Sequence, residues 1–234
     1  ELVGLCLAQC WLDQGAPAPF VLAELGPGRG TLMADLLRAT RAVPGFHNAL
    51  RLHLVETSPT LRTAQAATLG RGDVAWCDRV EDLPDMPLYL VANEFFDALP
   101  IRQFQRSGTG WRERVVGLEG DGLSLGLGPE APRPELDHRL GDTSEGDIVE
   151  TCAPGTVIAA EIGARIVDRG GAALIVDYGD WHALGDTFQA VAGHAPTDPL
   201  AAPGMADLTA HVDFEALALA ATPAAYSRLC PQGT

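Results

Sequence analysis

Apolar positions along the chain follow two rhythms in turn. "PFVLAELG" (19–26) is an apolar run of strand length, and "TLMADLLRATRAV" (31–43) then sets Leu32, Leu36, Leu37 and Val43 at helical spacing. "LRLHLVE" (50–56) alternates Leu50, Leu52 and Leu54, which predicts a half-buried strand. "SPTLRTAQAATLG" (58–70) carries a full set of helix signals: Ser58 as N-cap, Pro59 at the first helical position and Gly70 after the last turn. "VAW" (74–76) is a short strand and "LYLVAN" (88–93) a buried one. Strand, helix, strand, helix, strand predicts an α/β fold, a mostly parallel sheet with helices on both faces.

Beyond residue 100 the rhythm changes. "IRQFQRS", "WRERVVGLE" and "LSLGLG", broken by "GTG" and "EGDG", predict an antiparallel β insertion. Residues 128–147, rich in Pro, Gly and charge, predict a loop or mobile segment. A helix near 155–169, a buried strand "AALIVDYG" (172–179) and a helix "DFEALALAA" (213–221) opened by the cap Asp213 complete the pattern. At the start, "ELVGLCLAQCWL" is apolar nearly all round and predicts a buried helix. Both ends read as cut from a longer protein. The expected organisation is one domain over 1–234: a ligand-binding half over 1–100, the meander and mobile loop over 101–150, and a C-terminal part over 151–234.

Composition narrows the partners. With 47% hydrophobic residues the chain has enough for a core, and no apolar run reaches the ~18 residues of a membrane span. The net charge of −15 disfavours a nucleic-acid partner. All sixteen basic residues are Arg, scattered without a patch. Cys6, Cys10, Cys77, Cys152 and Cys230 form no Cys-x-x-Cys, and the six His show no metal spacing, so buried free thiols are expected and no metal.

The first β–α junction, "ELGPGRGTL" (24–32), is the strongest chemical signal. Gly26, Gly28 and Gly30 let a ligand approach the backbone, and the following helix offers free N–H groups. An ordinary Gly-rich turn is the competing reading. The third Gly comes too early for a dinucleotide loop, Pro27 stiffens the turn, and no Lys follows as a Walker loop requires. Glu24-x-Gly-x-Gly-x-Gly, with acidic Glu56 ending the next strand, is the pattern of S-adenosylmethionine (SAM) methyltransferases. Glu56 is placed to accept both ribose hydroxyls. Asp78, after the third strand, either meets the adenine amino group or is a solvated loop carboxylate.

The second signal is "VANEFFDALP" (91–100). Ligands in such folds sit at the carboxyl ends of the strands, where methylases of neutral nitrogens carry Asn-Pro-Pro-Tyr. Here Asn93 is followed by Glu94, Phe95, Phe96 and Asp97, with a carboxylate where Pro should stand. A guanidinium, with its pKa above ~12, is a poor nucleophile. Carboxylates gripping one side localise its charge there and free the opposite nitrogen to attack. At 4 Å and an effective dielectric of ~20, each supplies roughly 4 kcal/mol of gross attraction, much of it offset by desolvation. Phe95 and Phe96 could flank the guanidinium or adenine. The plainer reading makes Glu94 and Asp97 caps and both rings core; one core Phe and a functional Glu94 are expected.

Together with "RERVVGL", "GGAALIVDYG", "GDTFQAV" and "DLTAHVDF", these motifs resemble the MidA family of SAM-dependent methyltransferases over nearly the whole chain. The resemblance implies a Rossmann-like class I fold, SAM as cofactor and S-adenosylhomocysteine as product. The family's mitochondrial member is an assembly factor that dimethylates an arginine of a respiratory complex I subunit, which implies a protein substrate with an exposed arginine. Location would be the bacterial cytoplasm, or the mitochondrial matrix in a eukaryote. Carried onto this sequence, Gly26, Gly28, Gly30 and Glu56 would bind SAM, and Asn93, Glu94 and Asp97 would line the substrate nitrogen. Asp177, Tyr178, His211 and Asp213 are second-rank candidates. The family's N-terminal Gly-Asp-Phe and Thr-x-Pro-Glu motifs are missing. A SAM-binding assembly chaperone with little activity and a small-molecule methyltransferase are the competing readings.

Overall fold

The computed structural model describes residues 1–221. They form two compact units, each assembled from separate stretches of chain. The chain begins in the first with helix α1 (Leu2–Asp13), then β1 (Phe20–Leu25), α2 (Thr31–Ala39), α3 (Phe46–Ala49), β2 (Leu50–Val55), α4 (Pro59–Leu69), β3 (Val74–Cys77) and β4 (Leu88–Asn93). The second unit opens with β5 (Arg102–Ser107), β6 (Gly110–Glu119), β7 (Gly122–Ala131) and β8 (Ile148–Thr151). Helix α5 (Ala153–Arg169) leads to β9 (Gly171–Val176) of the first unit. The short strands β10 (Gly179–Asp180), β11 (Gln189–Ala192), β12 (Ala195–Thr197), β13 (Asp207–Thr209) and β14 (Val212–Asp213) belong to the second, and α6 (Phe214–Ala221) follows.

The first unit is built on a parallel five-stranded sheet in the order β3-β2-β1-β4-β9. Strands β1 and β4 are buried almost throughout, which is why both read as continuous apolar runs. An aromatic cluster fills one side: Trp11, Phe20 and Phe46 stack within 5.6 Å of one another, and Tyr89 meets Phe20 edge-on at 5.2 Å. Helix α4 is capped as its sequence predicts, with Ser58 Oγ accepting from the Leu61 amide and Gly70 in the left-handed region. The expected helix over 31–43 stops at Ala39 and tightens into a 3-10 turn over Thr40–Ala42. Phe46 is fully buried and anchors the short α3.

Two expectations need correction. Helix α1 is not buried all round: Gly4, Leu7, Ala8 and Trp11 face inward, while Leu2, Leu5 and Leu12 are exposed. Cys6 on the same helix is exposed rather than buried; Cys10, Cys77 and Cys152 are half-buried free thiols, and Cys230 lies outside the described residues.

The second unit carries the expected antiparallel meander, ordered β7-β6-β5-β8, around Phe104, Trp111, Leu136 and Val149. Much of the stretch expected to be a loop over 128–147 has structure. Strand β7 runs to Ala131, and a 3-10 turn over Pro134–Arg139 buries Leu136 and Arg139. The Arg139 guanidinium bonds Asp142 and the Ala183 carbonyl, and these partners offset its burial. The small sheet β12-β11-β13 had no strong pattern, because its strands are three or four residues long and mostly exposed.

Where β9 begins, Gln14 takes the Gly171 amide on Oε1 (2.8 Å) and donates to the Gly171 carbonyl (2.9 Å). Gly171 has φ 124°, and a Cβ there would lie 1.9 Å from the Leu88 carbonyl oxygen. Gly171→Ala is therefore expected to destabilise the fold by roughly 3 kcal/mol or more, through a disfavoured backbone and a displaced β4–β9 pair. Denaturant unfolding checks it; a midpoint equal to that of the parent would refute the close packing.

Candidate functional site

Sheet order reverses direction at β1, whose neighbours are β2 and β4. The carboxyl ends of β1 and β4 flank that switch point, where open α/β sheets bind ligands. Both motifs singled out in the sequence start there: the glycine loop after β1 and Asn93-Glu94-Phe95-Phe96 after β4.

The loop is formed by three left-handed glycines, Gly26 (φ 55°), Gly28 (φ 52°) and Gly30 (φ 80°). Gly26 must be glycine for a second reason: a Cβ there would lie 2.8 Å from the Phe95 ring. The end of β4 thus packs on the glycine loop through Phe95, while Phe96 is buried and meets Phe95 edge-on at 5.3 Å. One ring is core, as expected; the other lies against the glycine loop, a contact the sequence did not suggest. Nothing lies within 4 Å of a Cβ built on Gly28. Its open face, next to the N-terminus of α2, leaves room for a ligand against bare backbone. Pro27 is buried, and its carbonyl accepts the Gly30 amide.

Two carboxylates lie beneath this loop. Glu24, on β1, is 3% exposed. It accepts from the Met33 amide in the first turn of α2, yet its Oε2 has no hydrogen-bond partner among the described residues. Burial pushes its pKa from an ordinary 4.5 up to about 7, and the Met33 amide offsets only part of that rise. Glu56, just past β2, is also buried. Its Oε1 accepts the Ser58 amide (2.8 Å) and its Oε2 accepts Gln65 Nε2 (3.2 Å). Arg62 ties this corner together, donating to the Glu56 carbonyl and pairing with Asp78 at 2.7 Å. Asp78 is exposed and engaged by that arginine. Gln65, which no sequence signal marked, is fully buried in α4.

At the end of β4, Asn93 pairs with Val176 of β9 and is exposed. Glu94 follows with φ 48°, a left-handed conformation unusual for a residue with a side chain, and its amide donates to the Val176 carbonyl (2.9 Å). Its side chain is exposed. The turn is held by Asp177, whose Oδ2 accepts the Phe96 amide (3.0 Å). Asp177 thus has a structural role in this corner.

The remaining candidates lie in the second unit. Asp97 is buried, its carbonyl accepting the Ala210 amide, and it lines a cleft of about 390 Å³ with Arg102, Gln103, Glu113 and Arg114. Asp213 caps α6, its Oδ1 accepting the Ala216 amide, and it also accepts from the Ala183 amide. The amide of His211 donates to Thr187 Oγ1, and the carbonyl of Tyr178 accepts the Val212 amide. Among the described residues, no His, Cys, Asp and Glu group could hold a metal, and no helix is long and apolar enough to cross a membrane.

Glu24 supplies a pH prediction. The folded carboxyl holds its proton up to about pH 7, whereas the unfolded one releases it near 4.5. The folded state therefore binds the extra proton between those values, and stability falls as pH rises from 4.5 to 7, then levels. At about 1.4 kcal/mol per pH unit the loss is on the order of 3 kcal/mol. Glu24→Gln is expected to remove this component, visible as the difference between parent and variant unfolding free energies across that range. A constant difference from pH 4.5 to 8 would contradict the burial argument.

Comparison with known proteins places this geometry. The model of a family of S-adenosyl-L-methionine-dependent methyltransferases matches residues 2–230. The mitochondrial protein arginine methyltransferase NDUFAF7 of Danio rerio is 38% identical over 251 residues, covering 93% of this chain and 57% of the relative. The Homo sapiens protein of that name is 37% identical over 244 residues, covering 93% and 55%. A COG1565 superfamily member from Burkholderia thailandensis, solved bound to S-adenosyl-homocysteine, superposes with a TM-score of 0.78 at 31% identity, covering 94% of this chain and 59% of that one. The chain spans a little over half the length of these relatives. A family match over nearly every residue, with the methyltransferase sheet and glycine loop behind it, shows that this chain belongs to the S-adenosyl-L-methionine-dependent methyltransferases.

Proposed function

We propose that this chain carries the cofactor site of a protein arginine N-methyltransferase. The observation that carries the reading is Glu94, an exposed carboxylate held in a strained backbone at the end of β4, joined through Phe95 to the glycine loop. Strain at a strand end persists where surrounding contacts impose it, and such sites are often functional. The Val176 carbonyl on the Glu94 amide and the Asp177 carboxylate on the Phe96 amide are those contacts.

The site fits SAM on three features: open space over Gly28, a buried carboxylate with an unused oxygen at Glu24, and a buried, oriented carboxylate at Glu56. When bound, SAM supplies an electrophilic methyl on a sulfonium. The chain's residues do the rest. The loop amides and Glu24 receive the amino-acid end, Glu56 accepts from the ribose hydroxyls, and Asp78, with Arg62 beside it, bounds the adenine side. Glu94 and Asn93 take the guanidinium, with Glu94 drawing the positive charge to one edge so that the far nitrogen attacks. This is positioning and charge complementarity, the main requirements of methyl transfer.

The arginine belongs to a flexible, basic segment of a complex I subunit before assembly. The relatives' name supports arginine as the acceptor, and the charge of −15 favours a basic segment, which can order on binding.

Glu94→Gln should keep S-adenosylhomocysteine affinity within a few-fold and lower methyl transfer by roughly a hundred-fold or more, as for a lost transition-state contact. Calorimetry and labelled SAM measure the two; transfer at the parental rate would end the clamp argument. For the substrate, mass spectrometry of complex I subunits from cells with and without the gene is expected to show arginine methylation only in the former. Identical arginine methylation in both would remove the substrate assignment, and label on lysine or glutamine would remove the clamp as well.

A further inference from the structure

We propose that Gln65 is a positioning residue that presets both the glycine loop and the Glu56 carboxylate for the nucleoside half of the cofactor. This rests on the cofactor placement above. Gln65 is fully buried on α4, and every polar atom of its side chain is used. Trp76 Nε1 on β3 donates to Gln65 Oε1 at 2.8 Å. Gln65 Nε2 donates to the Gly28 carbonyl at 2.9 Å and to Glu56 Oε2 at 3.2 Å. An indole N–H can only donate, so it requires the amide oxygen on its own side and sends both amide hydrogens to Gly28 and Glu56. The orientation of the amide is thus set by chemistry.

Each bond acts on a ligand-facing group. Pinning the Gly28 carbonyl toward Gln65 turns the Arg29 amide, on the other side of the same planar trans peptide, away from Gln65. The Glu56 carboxylate takes one neutral donor on each oxygen, Ser58 and Gln65, which leaves further lone pairs for a pair of hydroxyls. Gly30 completes the contact, since a Cβ there would touch Gln65 at 3.4 Å. An apolar side chain would fill the same space without the desolvation cost of a buried amide. What the amide adds is a fixed relation between loop and carboxylate, which otherwise would have to form on binding.

The test is calorimetry with S-adenosylhomocysteine and with 5′-methylthioadenosine, which keeps the ribose and adenine but lacks the amino-acid end. Gln65→Met should weaken both ligands about equally, by ten-fold or more. Trp76→Phe, which frees the amide to turn, should weaken both by a smaller factor and add nothing in the Gln65→Met background. Gly28→Val serves as the control for the site. If Gly28→Val abolishes binding while Gln65→Met and Trp76→Phe bind like the parent, Gln65 is only a packing residue and the proposal fails. If Gly28→Val also binds like the parent, the cofactor placement itself fails. If Gln65→Met does not fold, Trp76→Phe decides alone: unchanged affinity for both ligands overturns the proposal.

Discussion

A backbone constraint sets the terms for the first unit. Between a fully buried strand and a helix that must pack back on the sheet, the chain turns through Gly26, Gly28 and Gly30, all with positive φ. Any Cβ-bearing residue would be strained at each of the three. The same choice leaves the backbone bare over Gly28 and admits the Phe95 ring against Gly26. Glycines placed to make a turn therefore also let Phe95, just past β4, pack against the loop that follows β1.

The carboxylates beneath the loop show how function opposes stability. Glu24 sits in a strand where every neighbour is apolar, and its burial holds the carboxyl protonated to about pH 7. A hydrophobic residue would suit β1 better. Glu56 is buried too, but an amide donor on each oxygen satisfies it. One acid is left short of partners and the other is well supplied. That asymmetry is what a ligand with a cationic end and a hydroxylated sugar would exploit.

Legibility in the sequence followed the reach of each signal. The caps of α4 were readable because Ser58, Pro59 and Gly70 act within one turn of where they stand. The β1 and β4 runs were readable because central parallel strands are buried on both faces. Phe46 was not, because its burial depends on Trp11 and Phe20, distant in sequence. Helix α1 was misjudged because its apolar residues exceed the face it buries. Asp213 was legible twice over, as a cap and as a site candidate, and the structure shows the cap. Gln65 was silent because a buried glutamine is identified only by its partners, which come from the glycine loop, the residue after β2, and β3. What local chemistry encodes could be read, and what depends on the meeting of distant segments could not.

Glu94 is where backbone strain and exposure coincide. Nothing in β4 requires a charged residue at its end, and the left-handed backbone there would be easier for glycine or asparagine. A capping carboxylate would bond a nearby amide, yet the Phe96 amide is already taken by Asp177. Glu94 thus occupies a costly conformation while Asp177 does the capping, and its own side chain is left exposed at the mouth of the switch point. A carboxylate displaced from structural duty, beside a glycine loop and carried by a packed strand end, is suited to holding a cation in one orientation. A guanidinium is planar, permanently charged and matched to carboxylate geometry, so among common side chains it is the cation that gains most from such a fixed acceptor.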